Sequence, residues 1–363
     1  MELNYKRMKT IAAATWKSPS NIAIIKYWGK KKNQIPENPS LSFTLSKCFT
    51  ETSVSLVPKE TKSDELQLQF YFDKKENIAF RLRLLNFFAS IQKDFKFLND
   101  YGLVIHSANS FPHSSGIASS ASSYSALAAA LCDIETQLSN KKASSEKQLL
   151  ADAKWIKRTS YFSRIGSGSA CRSLFPYASV WGETDAVKNS SDEYGIGAEN
   201  LLHKDFKTLC DSILIASSRE KVVSSRVGHS LMKGHPFAKT RYKQAESNLE
   251  NLLPALKAGD WETFGNIAEN EAMTLHALMM CSNPSFILMN AHTLSMIESI
   301  RSFRNSSKIP VYFTLDAGPN VHLLYPKSYA KKVLEFADYE LSGLCEDGKM
   351  IHDFTGNGIE KVK

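Results

Sequence analysis

Residues 109–123 constrain this chain more than any other stretch. The run Asn109-Ser110-Phe111-Pro112-His113-Ser114-Ser115-Gly116-Ile117-Ala118-Ser119-Ser120-Ala121-Ser122-Ser123 stands between a short strand, Leu103 to Ile105, and an apolar helix, Ala121 to Ile134. A strand feeding a loop of small residues and then a buried helix leaves unpaired N–H groups and a partial positive charge at the helix start, which attract phosphate. Gly116 lets the main chain approach a ligand closely, and the small side chains leave room for a triphosphate. Ser119 and Ser120 add hydroxyls for phosphate oxygens or Mg²⁺. No Gly-Lys-Ser/Thr triplet is present, so the loop is not a Walker A motif. Taken by composition, a serine-rich helix start serves equally well as an N-cap.

The rest of the chain reads as α+β. Asn21 to Ile25 is a buried strand, Leu41 to Val57 is β-rich, and Leu66, Leu68, Phe70 and Phe72 alternate as in a half-buried strand. Helical spacing covers Ile78 to Phe97 and Glu146 to Thr159. A second series follows: a strand at Leu209 to Ala216, helices at Ala238 to Leu256, Trp261 to Met273 and Asn290 to Arg304, strands at Val311 to Leu315 and Val321 to Leu324, a helix at Ala330 to Leu341, and a short tail. A chain of 363 residues exceeds one compact core, and the polar run Asn189-Ser190-Ser191-Asp192-Glu193 marks a boundary. Two domains are expected, 1–190 and 191–363.

Composition narrows the function. No apolar run approaches the roughly 20 residues of a membrane helix, and Met1 to Lys17 has no apolar core of a secretory signal. The six cysteines are scattered without a CxxC pair, as expected of free thiols in a reducing cytoplasm. The nine histidines show no metal-ligand spacing. The net charge of +8 is dispersed rather than striped, which suits polyanionic small-molecule substrates and argues against nucleic acid.

Four segments together resemble the GHMP kinase superfamily. The serine-rich loop fits its motif P-x-x-x-G-[LI]-x-S-S-[AG]. The others are Ser18-Pro19-Ser20-Asn21-Ile22-Ala23-Ile24-Ile25-Lys26-Tyr27-Trp28-Gly29-Lys30, Ile165-Gly166-Ser167-Gly168-Ser169-Ala170-Cys171-Arg172-Ser173-Leu174-Phe175, and Thr314-Leu315-Asp316-Ala317-Gly318-Pro319-Asn320. Within that group the chain is similar to the diphosphomevalonate decarboxylases over roughly residues 16–326, with weaker similarity around His276 to Met289. The resemblance implies a two-domain α+β fold, with a ribosomal protein S5 domain 2-like N-terminal domain, a ferredoxin-like C-terminal domain and the active site in the cleft between them. It also implies ATP and Mg²⁺ as cofactors, a phosphorylated mevalonate as substrate, and in many relatives a homodimer.

The implied reaction phosphorylates a tertiary 3-hydroxyl, then expels the phosphate as the neighbouring carboxylate leaves as CO₂. By resemblance Asp316 is the base, Lys26 reaches Asp316 and the transferring phosphoryl, and Arg172 orients the carboxylate with its planar fork. Ser120 orients the ATP phosphates. Ser167, Gly168 and Ser169 join Arg172 in holding substrate, and Tyr27 and Lys30 resemble the residues that hold the 5-diphosphate. Asn109, Pro112, Ser115, Gly116, Ala118, Ser119 and Ser120 form the expected ATP-phosphate site, with Ser119 and Ser120 as metal candidates. Bare of that resemblance, a turn aspartate caps backbone N–H groups and a Gly-Ser-Gly-Ser run is a linker.

Three departures stand out. Pro176-Tyr177 replaces two glycines and is expected to narrow the pocket; His113 replaces a small residue; Ser122-Ser123 replaces a small apolar pair. Rival readings are a 5-phosphomevalonate decarboxylase, a mevalonate 3-kinase, and a non-catalytic binding protein on the same fold.

Overall fold

The computed structural model describes residues 9–59, 65–112, 117–140, 144–219 and 223–362. The chain opens with β1 (Ala12–Ile25) and β2 (Ser40–Pro58), which pair antiparallel with register shifts between Pro19 and Asn21 and between Ala23 and Ile25. β1 changes character midway: Ala14 and Trp16 alternate with exposed or half-buried neighbours, whereas every residue from Ser18 to Ile25 is buried. The first half therefore has one covered face and the second half two, because the C-terminal half docks there. β3 (Leu68–Phe72), β4 (Lys75–Glu76), α1 (Ile78–Ile91), α2 (Phe97–Asp100) and β5 (Tyr101–Asn109) follow, then α3 (Ser119–Asn140), α4 (Glu146–Ala151), α5 (Ala153–Gly166), β6 (Ala178–Trp181) and β7 (Ile196–Gly197). The sheet runs β12-β1-β2-β5-β3-β4, with β6 on β2 and β7 on β6. β3 lies parallel to β5.

The second half contains β8 (Cys210–Leu214), α6 (Ser225–Ser230), α7 (Ala238–Ala258), α8 (Trp261–Met280), α9 (Ala291–Ser307), β9 (Tyr312–Thr314), β10 (Val321–Tyr325), α10 (Ala330–Phe336), β11 (Met350–Phe354) and β12 (Glu360–Val362). Its sheet order β11-β8-β10-β9, antiparallel throughout, is that of a ferredoxin-like sheet. The expected α+β fold in two halves is present.

Several boundaries differ from expectation. The helix expected over Glu146 to Thr159 is two, because Asp152 turns out of helical geometry and its carboxylate accepts from Lys154 N at 2.8 Å and Trp155 N at 3.3 Å. The helix expected from Ile78 to Phe97 stops at Ile91. The tail is longer in structure than in sequence pattern. β11 completes the C-terminal sheet, and β12 crosses back to pair with β1, Lys17 Nζ meeting Glu360 at 3.1 Å.

The two halves are joined by buried polar contacts as well as apolar packing. Asp353, on β11, accepts from the N–H groups of Ser46, Lys47 and Cys48 on β2 at 3.0, 2.8 and 2.8 Å. One carboxylate thereby satisfies three consecutive main-chain donors across the joint.

Candidate active site

Three charged side chains from distant segments meet in one cleft of about 580 Å³. Lys26 is the first residue past β1, Asp316 lies in the turn after β9, and Arg172 ends a short 3-10 turn, Gly168–Arg172, that follows α5. Lys26 Nζ is 3.1 Å from Asp316 Oδ1. The lysine is 1% exposed, while the Asp316 side chain keeps 27% of its surface open to the cleft. Burial pushes the Lys26 ammonium below its ordinary pKa; Asp316 and then Glu271 pull it back up, and Arg172 pushes it down. The Arg172 guanidinium is likewise lowered, first by burial. It donates through Nη1 to Ser40 Oγ at 2.5 Å, lies 5.9 Å over the Trp181 ring, and its buried Nε has no partner among the described residues.

Other orphaned groups line the same space. The Tyr27 hydroxyl is buried without a hydrogen-bond partner among the described residues, and burial raises its pKa. Gly168 is required beside it, because a Cβ there would stand 3.0 Å from Tyr27 Oη and 2.8 Å from the Trp181 ring. Lys30 donates to Gln34 Oε1 at 2.8 Å, and its pKa is lowered by burial and then by Arg226. Ser167 Oγ and Ser120 Oγ lie 3.2 Å apart, linking the Gly-Ser-Gly-Ser turn to the start of α3. The Ser169 carbonyl accepts from Asn21 Nδ2 at 3.2 Å.

Ala118, Ser119 and Ser120 line the cleft at the α3 N-terminus. Asn109 accepts from Thr50 Oγ1 at 2.8 Å, while its buried Nδ2 has no partner among the described residues. An unsatisfied buried donor beside a helix N-terminus is what an incoming phosphate or nucleotide oxygen would complete. Pro112 is exposed and stands outside the residues that line the cleft. Ser115, Gly116 and His113 lie outside the described residues. Among those described, no group of three or more His, Cys, Asp or Glu is placed to hold a metal.

The Pro176-Tyr177 departure does not narrow the pocket. Tyr177 adopts φ 60, its N–H donates to the Gly356 carbonyl at 2.8 Å, and its own carbonyl accepts from Thr44 N at 2.9 Å. The pair joins β2 to the C-terminal segment outside the cleft lining. Ser122 and Ser123 are used structurally: Ser122 Oγ is 2.6 Å from Thr50 Oγ1, and Ser123 Oγ donates to the Ser119 carbonyl at 2.7 Å.

Sequence reasoning missed the contribution of α6. Ser224, Ser225, Arg226 and His229 also line the cleft. The His229 ring packs on Tyr27 and Trp28, centroids 4.3 and 4.6 Å apart, and its Nδ1 accepts from Gly29 N at 3.0 Å. Burial, then Lys30 and Arg172, lower its pKa to about 3. Sequence reasoning also missed Glu271, whose signal was present: a carboxylate on the apolar stripe Ala268, Ala272, Leu275, Met279 of α8.

A cation-lined cleft between two α+β halves, closed on one side by a serine-rich helix start, defines a class of protein that handles phosphorylated small molecules. Comparison with known proteins narrows the class. Residues 18–192 match the diphosphomevalonate decarboxylase-like N-terminal domain, and residues 212–356 the mevalonate 5-diphosphate decarboxylase C-terminal domain. A diphosphomevalonate decarboxylase of Saccharomyces cerevisiae is 30% identical over 349 residues, 92% of this chain and 83% of the relative. The crystal structure of mevalonate diphosphate decarboxylase from Staphylococcus aureus superposes with a TM-score of 0.79 at 28% identity, covering 97% of this chain and 98% of that one. MDDEF in complex with MVAPP, AMPPCP and magnesium gives 0.78 at 28% identity, covering 97% and 99%. This chain belongs to the diphosphomevalonate decarboxylase family.

Proposed function

We infer that this chain catalyses the ATP-dependent decarboxylation of (R)-5-diphosphomevalonate to isopentenyl diphosphate, CO₂, ADP and phosphate. The observation that carries the reading is the 3.1 Å Lys26–Asp316 contact in the cleft that also holds Arg172 and the Ser119-Ser120 helix start. ATP, bound with Mg²⁺ as in the related complex, supplies the phosphoryl group.

The reading gives each residue of the chain a task. Asp316 accepts the proton of the 3-hydroxyl as its oxygen bonds to phosphorus. Lys26, 3.1 Å from it, offsets in its ammonium form the negative charge that grows on the phosphoryl oxygens. The C3–O bond then breaks, phosphate leaves, and the C1–C2 electron pair becomes the C2=C3 double bond as CO₂ departs. Arg172 orients the carboxylate and must not hold it too strongly, since ground-state stabilisation would oppose its loss. Among the described residues, the Arg172 Nε has no partner and Nη1 meets Ser40, which leaves donors for that purpose. Tyr27 and Lys30, with the nearby Arg226, favour a diphosphate tail over a shorter one. Asn109 Nδ2, Ser119 and Ser120 receive the nucleotide phosphates, and the apolar wall of Phe70, Phe72, Phe80 and Leu84 faces the base.

A division at residue 190, with both β7 and β12 returned to the sheet of the first domain, fits this reading. Homodimer assembly and cytoplasmic residence extend it on the ground of the family resemblance; five buried free cysteines fit a reducing compartment. Among the described residues no helix is long and apolar enough to cross a membrane.

The test is a coupled measurement of ADP and CO₂ with mevalonate, its 5-phosphate and its 5-diphosphate. The expected result is equimolar ADP and CO₂ from the diphosphate alone. Turnover of the monophosphate, or ADP without CO₂, would point to the sister activities.

A further inference from the structure

Helix α8 touches the main chain of both members of the Lys26–Asp316 pair. Lys26 lies just past the end of β1, where its peptide has left the strand ladder. Glu271 accepts the Lys26 N–H at Oε2, 2.7 Å away, and is 0% exposed. The Lys26 carbonyl accepts from Arg241 Nη2 at 3.1 Å and Asn38 Nδ2 at 3.0 Å. Arg241 in turn grips Glu271 through two contacts of 2.7 and 2.5 Å, and Asn248 Nδ2 donates to the same carboxylate at 2.7 Å. Further along the helix, His276 Nε2 is 3.1 Å from the Asp316 carbonyl. A carbonyl only accepts, so Nε2 carries the proton.

We propose that Glu271 is a positioning residue for the reaction: by holding the Lys26 peptide, while His276 holds the Asp316 peptide, α8 sets the lysine against the aspartate at the spacing that phosphoryl transfer requires. The proposal rests on the roles given above to Lys26 and Asp316. A buried Arg–Glu pair is weak support for stability, since apolar residues of like volume often replace such a pair without loss. Here its carboxylate stands on an apolar stripe and spends one of its four bonds on the Lys26 peptide, a use that a packed leucine could not reproduce.

The same carboxylate acts on charge. The groups that face Lys26 are Asp316 from the β9 turn, Glu271 from α8, Asp211 from β8, Arg172 from the 3-10 turn, and Arg241 from α7 through the Lys26 carbonyl. Burial disfavours the ammonium, and Glu271 counters it. Removing that negative charge leaves burial less opposed, so Lys26 loses its proton at lower pH.

The test compares Glu271→Gln, His276→Phe and, as a control, Glu269→Gln, whose carboxylate pairs with Arg304 at 2.6 Å elsewhere on α8. Glu271→Gln keeps the shape and an acceptor oxygen. It is expected to lower kcat about tenfold or more, with KM for both substrates changed by about twofold at most, and to move the alkaline limb of kcat to lower pH. Glu269→Gln leaves that limb in place. His276→Phe lowers kcat without moving the limb, because it removes the grip on Asp316 and takes no negative charge away from Lys26. A folded Glu271→Gln enzyme with wild-type kcat and an unmoved limb overturns the proposal. Should that variant melt below the assay temperature, His276→Phe decides, and wild-type kcat in it overturns the proposal. Absence of CO₂ from the wild type, or an active Lys26→Met, would instead refute the underlying site assignment.

Discussion

The two ends of the cleft are built on opposite principles. At the deep end, Lys26 and Arg172 are buried charges held by side-chain and main-chain contacts before any ligand arrives. At the end proposed for the nucleotide, the groups are small hydroxyls, a helix N-terminus and one orphaned amide, backed by an apolar wall with Arg83 over the Phe80 ring. The difference follows from what each end must do. Charge that develops during reaction is best met by fixed, dry, oppositely charged groups, which need no reorganisation at that moment. A nucleotide brings its own negative charge, which a helix N-terminus and a nearby guanidinium can meet. Substitutions at the deep end should therefore act on kcat, and those at the nucleotide end on KM for ATP.

Lys26→Met gives the largest of these effects: kcat should fall by about 10²–10³, as for loss of one fixed donor to developing charge, with nucleotide binding retained by calorimetry. Arg172→Lys comes next. It keeps the charge and loses the planar fork, so kcat should drop by about 10²-fold or less. Because Arg172 is assigned to the carboxylate, the ratio of CO₂ to ADP should fall below one; an unchanged ratio would break the assignment. Asn109→Ala removes the orphaned amide and should raise KM for ATP by about three- to tenfold, leaving kcat nearly unchanged.

A separate effect concerns stability at the deep end. His229 is held neutral down to about pH 3 in the fold, whereas in the unfolded chain it takes a proton near its ordinary 6.5. The unfolded state thus binds more protons below 6.5, so stability falls as pH drops from 6.5 toward 3. A His229→Gln variant should show a shallower decline of Tm over that window. An identical slope would mean that the ring is open to solvent.

The sequence carried the deep end in its motifs but not its scaffolding. Lys26, Arg172 and Asp316 each lie at the end of a regular element, where a strand or turn leaves a side chain free to enter a cleft, and each stood in a recognisable run. The alternation of Leu68 and Phe70 and the apolar run before Ile25 likewise announced their strands. β12 escaped notice because three residues are too few to show a period, and its partner β1 is more than 340 positions away. Asp152 sat inside a helical pattern, and periodicity does not register a cap that restarts the same pattern. Pro176-Tyr177 looked like bulk in a pocket; its positive φ and its bonds to Gly356 and Thr44 arise only from the returning C-terminal segment.

The account stands or falls on Asp316 acting on the 3-hydroxyl beside a charged Lys26. Asp316→Asn keeps the size and an oxygen facing Lys26 while removing the base, so single-turnover ADP formation with 5-diphosphomevalonate measures that role directly. The expected result is a loss of about 10²–10⁴ in the rate of ADP formation, with CO₂ release lost in parallel and ATP binding intact. Wild-type ADP formation in the variant would contradict it.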